Sequence, residues 1–588
     1  MEKGQILTIE IEDIGTEGQG IGKADGLAVF VKGTVIGDVA KVELTKLKKR
    51  YAFARLIELV EPSPYREEPF CPYDKMCGGC SFGTTSYEGQ LALKEKQVRD
   101  RLVRLGGLED PKMNPIIGMA EPWRYRNKAT MPVSTGGLIT KKGGIVEPVH
   151  EPRIGFYQAK THDVVDCQDC LLQSEPAMVA AEALRQFMIE DNITSYDPRW
   201  DKGLMKHMIV KTAIGTGEVM VVLVINGKGI PNGQKLVQML DEAIYSIPVY
   251  DDGPFAGVEF NLESVVINVN KGDTKDIMGE ECITLAGKPT IKETIGGLTF
   301  EISPLSFYQV NREQMMQLYG KALEYADLKG GETVLDLYCG VGTIGLFCAD
   351  EMRRKGDAGM VIGIETIKGA VIDANRNAVL NGIVNARYVC GKAEDEMPKM
   401  VGLAPDDRPD DDPNKIMIDR ADVAILDPPR AGCDERLLET VVKVGPERIV
   451  YVSCDPATLA RDIKYLTANG YEFVEATPVD MFPHSNHCET VALLSQRRPD
   501  EHIDITIDLT EFDTTAAELK ATYPEIKEYV LNKFGLKVSS LYISQVKTKC
   551  GIIERENYNK GKAGHRVPQC PKEKEDAIMD ALKHFKMI

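Results

Sequence analysis

The first part of the chain alternates polar and apolar positions in short runs, which is the periodicity of half-buried β-strands. The runs are QILTIEIEDIG, GLAVFVKG and DVAKVELTKLKKRYAFARLIELVE, and the first part is punctuated by Gly15, Gly18, Gly20 and Gly22. Several short strands in so small a length predict a closed barrel of the OB type.

Two longer stretches follow, and they differ in how apolar and polar residues are spaced. From about residue 120 to about residue 290, strand-like runs such as HMIVKTAIG, EVMVVLVING and SVVINVN are mixed with one or two helical patterns, which predicts a mostly antiparallel α+β region. From about residue 330, strands, glycine turns and helices recur, as in ETVLDLYCGVGTIGLFCA. This order is typical of a doubly wound α/β sheet.

These changes divide the chain into four predicted segments and place it in the α/β class as a multidomain protein. We expect an OB-like barrel over residues 1–62, an α+β central domain over residues 63–300 and a doubly wound, Rossmann-like domain over residues 301–498. A small C-terminal extension covers residues 499–588. A chain of 588 residues exceeds what one hydrophobic core usually serves, which agrees with several domains.

Composition and charge narrow the functional classes. The N-terminus lacks an apolar signal core and no apolar run is long enough to cross a bilayer, so we expect a cytoplasmic protein without membrane contact, acting as a monomer. The net charge of −18 argues against nucleic-acid binding, but Lys41 to Arg55 holds six basic residues and one acidic. Exposed charges are screened beyond about 10 Å, so this basic stretch can still bind RNA phosphates.

A cofactor pocket is predicted where the first strand of the α/β region meets its helix. Gly340 and Gly342 follow the apolar strand, and glycine lets a ligand approach the backbone because it has no Cβ. Glu365 ends the next strand, where a carboxylate can accept hydrogen bonds from both ribose hydroxyls. This pattern alone fits a nicotinamide dehydrogenase, a methyltransferase, or a glycine turn with only a structural role.

Three reactive side chains are predicted at the same edge of that sheet. Asp427 begins DPPR after one strand, Cys454 ends the strand IVYVSC, and Glu489 stands at a strand start in DMFPHSNHCETVALL. Ligands bind at the carboxyl edge of such a sheet, so Cys454 is a candidate nucleophile and Glu489 a candidate general base. The alternatives are a buried structural cysteine and a buried carboxylate with satisfied hydrogen bonds.

A cysteine-rich segment lies between the barrel and the central region. Cys71, Cys77 and Cys80 are close together, and Cys167 and Cys170 follow far downstream in VVDCQDCLLQ. Thiolates at short spacing with one remote ligand can hold zinc or an iron–sulfur cluster, and spacing alone does not choose between them. A cysteine cluster without metal is the remaining alternative.

Several long motifs occur together along the chain. They are SFYQVN, DLYCGVGTIGL, VIGIE, LDPPRAGC, YVSCDPATLARD and DMFPHSNHCETV. Through these motifs the chain resembles, from residue 1 to about residue 497, the RNA uracil-C5 methyltransferase family. Its N-terminal segment resembles a TRAM domain, an OB-like RNA-binding barrel, and the candidate phosphate contacts there are Lys46, Lys48, Lys49 and Arg50.

The resemblance implies a role for each residue of the predicted pocket. The residues implied to bind S-adenosylmethionine are Gln309, Tyr338, Glu365 and Asp427. Cys454 is implied to add to C6 of a uracil and Glu489 to remove the proton from C5. Phe307 is implied to face the flipped base. The chain departs from the family at Asp455, where asparagine is usual, and at Cys488, where valine is common.

The resemblance further implies a [4Fe-4S] cluster, carried by the motif CPYDKMCGGC. The implied ligands are Cys71, Cys77, Cys80 and Cys170, and Cys167 is left over. A TRAM-like domain together with a cluster favours RNA of the 23S rRNA type over tRNA as substrate, by analogy. The alternatives are a tRNA uracil-C5 methyltransferase, a non-catalytic RNA-binding assembly factor and a Rossmann oxidoreductase with an iron–sulfur centre.

Beyond residue 498 the resemblance ends. Two short helices are predicted around a turn at Gly535, followed by a basic loop. An apolar stripe that would pack on the first helix is formed by Val538, Leu541, Ile543 and Val546. Two roles fit this segment equally: an extra nucleic-acid contact, or a small appended domain that covers apolar surface or binds another protein.

Overall fold

The structure is a computed structural model that describes residues 1–15, 18–135, 140–141, 144–145, 151–356, 359–410, 412, 414–497, 521–550, 552, 569–585 and 587–588. The chain divides into two compact units, Met1–Arg498 and Pro499–Ile588. This division does not test the finer boundaries expected from the sequence, which stay predictions. None of the described helices is both long and apolar enough to cross a membrane.

The N-terminal strands close into a barrel in the order β1-β2-β3-β5-β4. They are β1 (Ile6–Ile14), β2 (Gly20–Ala24), β3 (Leu27–Val31), β4 (Val39–Leu47) and β5 (Tyr51–Glu61). The barrel confirms the predicted OB-like fold, but β2 lies where the sequence pattern indicated only glycine turns. Close packing requires glycine in this strand, because a Cβ on Gly20 would lie 2.1 Å from Thr34 Oγ1.

The helix α1 (Tyr87–Arg104) follows the cysteine-rich segment and leads to a seven-stranded sheet with the order β10-β9-β6-β11-β12-β13-β14. Its strands are β6 (Lys128–Thr135), β9 (Pro152–Tyr157), β10 (Val164–Asp166), β11 (Met205–Thr212), β12 (Glu218–Ile225), β13 (Asn261–Val269) and β14 (Glu281–Gly287). A separate pair is formed by β7 (Thr140–Lys141) and β8 (Gly144–Ile145). Of the described pairings in the large sheet, only β12 with β13 is parallel, which confirms the predicted antiparallel α+β region. The helices α2 (Glu175–Glu190) and α3 (Gly233–Tyr245) share its core.

A second seven-stranded sheet follows the hairpin of β15 (Ile291–Ile295) and β16 (Leu298–Ile302). Its strands are β17 (Thr333–Leu337), β18 (Met360–Glu365), β19 (Ala386–Cys390), β20 (Val423–Leu426), β21 (Arg448–Ser453), β22 (Tyr471–Val479) and β23 (Glu489–Gln496). The accompanying helices are α4 (Arg312–Ala326), α5 (Thr343–Arg354), α6 (Lys368–Leu380), α7 (Ala393–Met400), α8 (Glu435–Val444) and α9 (Pro456–Ala468).

The strand order of this second sheet is β19-β18-β17-β20-β21-β23-β22. Strands β17 to β21 are parallel, and β23 runs antiparallel to both β21 and β22. The order reverses between β17 and β20, and a crevice for ligands forms at such a switch point, outside the carboxyl ends of the strands. The predicted doubly wound α/β sheet is therefore confirmed.

In the second unit, the structure describes three helices, α10 (Tyr523–Phe534), α11 (Ser540–Lys549) and α12 (Lys572–His584). The predicted turn is present, since Gly535 ends α10 with a φ of +66°. Val538, Ile543 and Val546 are buried in the core of this unit, but the expectation for Leu541 was wrong, because it is exposed. Most of the predicted basic loop lies outside the described residues.

Candidate active site

The candidate catalytic residues lie at one edge of the doubly wound sheet. β20 ends directly before Asp427 and β21 directly before Cys454, so both residues follow the carboxyl ends of their strands. The antiparallel β23 begins at Glu489 at the same edge. In the ladder between β21 and β23, Thr490 pairs with Ser453. The adjoining residues are therefore opposite each other, which brings Glu489 to Cys454.

The backbone around Cys454 is fixed by its neighbours. The Asp455 carboxylate caps α9 by accepting hydrogen bonds from the backbone N–H groups of Ala457, at 2.8 Å, and Thr458, at 3.2 Å. The Ser453 hydroxyl donates to the Asp455 carbonyl oxygen at 3.0 Å. An asparagine side chain would cap the helix in the same way, so the departure from the family pattern at this position alters no reactive group.

Burial and negative charge shift both reactive groups toward their uncharged forms. Burial, followed by the charges of Glu489 and Asp427, raises the pKa of Cys454 to about 11. Burial, followed by the charge of Asp427, raises the pKa of Glu489 to about 8. The positive charge of Arg430 opposes both shifts. At neutral pH both shifts favour the uncharged thiol and the protonated carboxyl.

Two charged residues near this edge of the sheet were not predicted from the sequence. Arg430 follows the proline pair of the DPPR motif, and a basic side chain placed just after Asp427 was the available signal. Asp336 lies inside β17, is 1% exposed and accepts a hydrogen bond from the Gly345 N–H at 3.0 Å. Burial, followed by the charge of Asp427, raises the pKa of Asp336 to about 7. An acidic residue within an otherwise apolar strand could have identified it.

The predicted cofactor turn has the backbone that its glycines allow. Gly340 and Gly342 have φ values of +55° and +77°, and Tyr338, half-buried, also lies in the left-handed region with a φ of +66°. Glu365 accepts hydrogen bonds from the backbone N–H groups of Gly340, at 3.1 Å, and Ile367, at 2.9 Å. The Glu365 carboxylate therefore ties the end of β18 to the glycine turn after β17.

Residues 303–311 form the loop before α4 and contain Phe307 and Gln309. The buried Lys211 ammonium donates to two backbone carbonyl oxygens of this loop, at 2.7 and 2.9 Å. The Gln309 carbonyl oxygen accepts a hydrogen bond from Asn127 Nδ2 at 2.9 Å, and the Gln309 side chain is half-buried. Phe307 is 63% exposed, so its ring is open to a base.

The thiols of the cysteine-rich region lie close enough to affect one another's pKa. Burial raises the pKa of Cys71, Cys77 and Cys80, and the negative charge of Cys170 adds to the rise in each case. The hydrogen bond from Cys167 is the largest cause that lowers the pKa of Cys170, to about 6. Two segments distant in sequence thus bring their thiols into one neighbourhood.

These thiols do not form a ready-made metal site. In the described part of the chain, no group of three or more His, Cys, Asp or Glu side chains is arranged to hold a metal ion. The geometry therefore does not support the predicted [4Fe-4S] cluster. Cys167, expected to be left over, is buried and its thiol donates to the Asp169 carbonyl oxygen at 3.3 Å, whereas Cys170 is half-buried.

Comparison with known proteins identifies the family. A family model described as tRNA (Uracil-5-)-methyltransferase matches residues 292–497, and a TRAM domain model matches residues 1–57. An uncharacterized RNA methyltransferase of Bacillus cereus is 40% identical over 494 residues, which cover 84% of this chain and 98% of that protein. One of Caldanaerobacter subterraneus is 40% identical over 493 residues with the same coverage. The chain belongs to the S-adenosylmethionine-dependent RNA uracil-5 methyltransferase family and carries a TRAM domain.

A solved structure agrees with this assignment. The tRNA (uracil-54, C5)-methyltransferase of Pyrococcus abyssi, in complex with S-adenosyl-L-homocysteine, superposes with a TM-score of 0.60 at 26% identity. The match covers 83% of this chain and 99% of that one. S-adenosyl-L-homocysteine is what remains of S-adenosylmethionine after methyl transfer, so the comparison supports S-adenosylmethionine as the methyl donor here.

Proposed function

We propose that this protein methylates C5 of a uracil in 23S rRNA, with Cys454 as the nucleophile and Glu489 as the base. The observation that carries the proposal is the pairing of β21 with β23, which ends at Ser453 and Thr490, the residues next to Cys454 and Glu489. They stand at the edge of the sheet that also holds the glycine turn. A non-catalytic assembly factor would not need this pair, so the enzyme is the better-supported alternative.

The chemistry explains why a methyltransferase needs a cysteine. Uracil C5 is a poor nucleophile, and addition of the Cys454 thiolate to C6 breaks the C5=C6 double bond and makes C5 electron-rich. S-adenosylmethionine, when bound, supplies the methyl group. Glu489 then accepts the C5 proton, the electron pair left on C5 restores the double bond, and the C6–S bond breaks to release the thiolate. The uracil must leave the RNA stack to reach these groups.

The raised pKa values assign a further role to Arg430. Cys454 must lose its proton before it can add to C6, yet burial disfavours the thiolate. The positive charge of Arg430 lowers the pKa of both Cys454 and Glu489, so it favours the anionic form that each step requires. We assign Arg430 to the stabilisation of these anions.

The residues proposed to bind S-adenosylmethionine are Gln309, Tyr338, Glu365 and Asp427. What supports this assignment is their place along the chain: three of them follow or end the neighbouring strands β17, β18 and β20, at the switch point of the sheet. Glu365 already accepts backbone hydrogen bonds, but a carboxylate has about four acceptor positions and can also bind ribose hydroxyls.

Two substitutions test the catalytic pair. Cys454→Ala should abolish methyl transfer while S-adenosylmethionine still binds, because the residues proposed for the cofactor lie elsewhere. Glu489→Gln should allow addition and methylation but stall elimination, so that protein stays covalently attached to RNA. Transfer of labelled methyl groups and denaturing gels measure the two outcomes. Cys488→Ala is the control for the second nearby thiol, and near-normal turnover by Cys454→Ala would refute the mechanism.

The choice of RNA has a second candidate. The TRAM domain together with the cysteine-rich segment favours 23S rRNA by analogy, whereas the likeness to the Pyrococcus abyssi tRNA enzyme favours tRNA. Labelled methyl groups should be transferred to RNA from a strain lacking the protein and the rRNA and tRNA separated afterwards. Label in the 23S fraction supports the proposal, and label confined to tRNA supports the second candidate.

The TRAM barrel is proposed to hold the RNA backbone. Its basic residues Lys46, Lys48, Lys49 and Arg50 are exposed around the connection between β4 and β5. Exposed ammonium and guanidinium groups bind phosphates and release counterions, which makes the affinity dependent on salt. This local charge accounts for RNA binding by a chain whose net charge is −18.

We keep a [4Fe-4S] cluster as a proposal for Cys71, Cys77, Cys80 and Cys170 on the convergence of their thiols alone, because the described side chains are not arranged as a metal site. Four cysteine thiolates are the usual donor set for such a cluster. Protein purified without oxygen should contain iron and sulfide in matching amounts. Cys170→Ser should lose the iron, whereas Cys167→Ser should keep it. Stoichiometric zinc without visible absorbance would overturn the proposal.

A further inference from the structure

The loop of residues 480–488 connects β22 to β23 and ends directly before Glu489. Several of its backbone carbonyl oxygens accept hydrogen bonds from side chains that belong to other parts of the chain. Tyr125 OH donates to the Pro483 carbonyl at 2.9 Å, and Asn311 Nδ2 donates to the Met481 carbonyl at 3.1 Å. The position of the loop is therefore determined by its surroundings more than by its own sequence.

A buried ion pair joins this loop to α1. Lys94 Nζ lies 2.5 Å from Asp480 Oδ1, and both side chains are 0% exposed. Lys94 also donates to the Phe482 carbonyl oxygen at 3.0 Å, and Tyr87 OH donates to Asp480 Oδ2 at 2.9 Å. Because either charge left without its partner in so desolvated a place would be costly, the pair holds Asp480 against α1.

A second contact from α1 holds the middle of the loop. Gln90 Oε1 accepts a hydrogen bond from the His484 backbone N–H at 2.9 Å, and Gln90 Nε2 lies 3.2 Å from His484 Nδ1. His484 has a φ of +64°, an uncommon value for a residue with a side chain, and its ring stacks on Trp123 at 4.3 Å. The strained backbone persists because these contacts on both sides of the residue hold it.

The same residue meets the end of the cysteine-rich segment. The backbone N–H groups of Ser81 and Phe82, which follow Cys80 directly, donate to the His484 carbonyl oxygen at 2.9 and 3.3 Å. The loop therefore lies between the cysteine-rich segment, α1 and Glu489. A change on α1 can therefore reach Glu489 through hydrogen bonds to Asp480, Phe482 and His484 and then along the backbone of the loop.

We propose that Gln90 and Lys94 of α1 are positioning residues for Glu489 in the release of methylated RNA. This inference rests on the proposed function, in which Glu489 removes the C5 proton. Glu489 is the first residue of β23, pairs with Val479 of β22 and is joined directly to the loop, whereas Cys454 follows β21 and is not part of the loop. Addition and methyl transfer should therefore depend less on Gln90 and Lys94 than proton removal does, because a displacement of about 1 Å can slow a step by about a hundredfold.

The test compares Gln90→Met with Gln97→Met. Both glutamines lie on α1, but Gln97 donates to the Ile14 carbonyl oxygen of the barrel and not to the loop. The probe is total RNA from a strain lacking the protein, with labelled S-adenosylmethionine. After nuclease digestion, protein mass reports the methylated nucleotide still attached to Cys454, and the label released into RNA reports completed turnover.

Gln90→Met should slow release by about tenfold or more while methyl transfer stays within about twofold of the unchanged protein, so attached nucleotide accumulates. Gln97→Met should accumulate none. A second variant, Lys94→Met combined with Asp480→Leu, removes both charges together and should show the same step-selective defect if Gln90→Met does not fold. Equal slowing of both steps, or no accumulation in either variant, would overturn the proposal.

The Glu489→Gln protein separates this inference from the function on which it rests. If Glu489→Gln accumulates attached nucleotide and the α1 variants do not, only the positioning role fails. If Glu489→Gln accumulates none although Cys454→Ala is inactive, Glu489 is not the base, and the proposed mechanism itself fails.

Discussion

The pH dependence of product release gives a sharp test of the mechanism, because Glu489 can accept the C5 proton only as a carboxylate. Burial, followed by the charge of Asp427, raises its pKa from an ordinary 4.5 to about 8. Since the pKa is raised, the proton is held up to a higher pH, and the reactive carboxylate predominates only above about pH 8. Release should therefore accelerate as the pH rises through this value.

The magnitude follows from the fraction of carboxylate. With a pKa of about 8, release should rise about tenfold per pH unit at the acid end and level off near about pH 9, a gain of about a hundredfold from about pH 6. A carboxylate with the ordinary pKa of 4.5 would already be ionised at about pH 6 and would give a flat profile. The two cases differ far beyond experimental error.

The assay is a pH jump. The covalent protein–RNA species is allowed to form at about pH 6, the pH is raised, and its loss is followed on denaturing gels. Arg430→Gln should move the midpoint to higher pH, because the arginine charge lowers the pKa of Glu489. A profile that is flat from about pH 6 to about pH 9 would refute the assignment of a buried, mostly protonated base.

Three further outcomes are expected. Lys94→Met should lower the free energy of unfolding in urea by about 3–5 kcal/mol, because it leaves the buried Asp480 unpaired. Lys94→Met combined with Asp480→Leu should lose less of that free energy, and a larger loss in the double variant would contradict this. Lys48→Gln with Lys49→Gln should weaken RNA binding and reduce the slope of log affinity against log salt by about 2, measured by filter binding. Cutting the chain after Arg498 should leave methyl transfer intact, and an unchanged affinity and salt slope would exclude an RNA contact by the C-terminal extension.

The sequence predicted the sheet and the place of the reactive pair because both depend on local patterns. Apolar runs that end in Asp427 and Cys454 mark two strand ends, and parallel strands share one edge. The strand β2 was missed because its glycines are typical of turns. Close packing requires glycine at Gly20, beside Thr34, and at Gly22, beside the backbone of Glu10, and these contacts form only when the strands pair.

The support of Glu489 could not be predicted for a related reason. Tyr87 and Asp480 are 393 residues apart in sequence. From sequence alone, a lysine at the position of Lys94 is expected to be exposed to solvent, whereas the structure buries it. The same holds for the pKa of Glu489, which depends on burial and on the charge of Asp427 at the end of another strand. The sequence indicates which residues can react, whereas the burial and neighbouring charges that set their pKa values arise only when the chain is folded.

The two reactive groups differ in how they are held, and this difference has a chemical consequence. Cys454 lies between β21 and α9, whereas Glu489 begins β23 directly after the loop that contacts α1, although both strands are paired on both sides in the sheet. A loosened nucleophile would simply stop the reaction, but a loosened base would leave the protein attached to its RNA. Apolar residues could replace a buried ion pair with little loss of stability, but they would not hold the loop and α1 at one fixed position relative to each other. The geometry of Lys94 and Asp480 therefore suits a contact whose role is to hold position, since under the proposed mechanism a mispositioned Glu489 would leave both the enzyme and the RNA in the attached form.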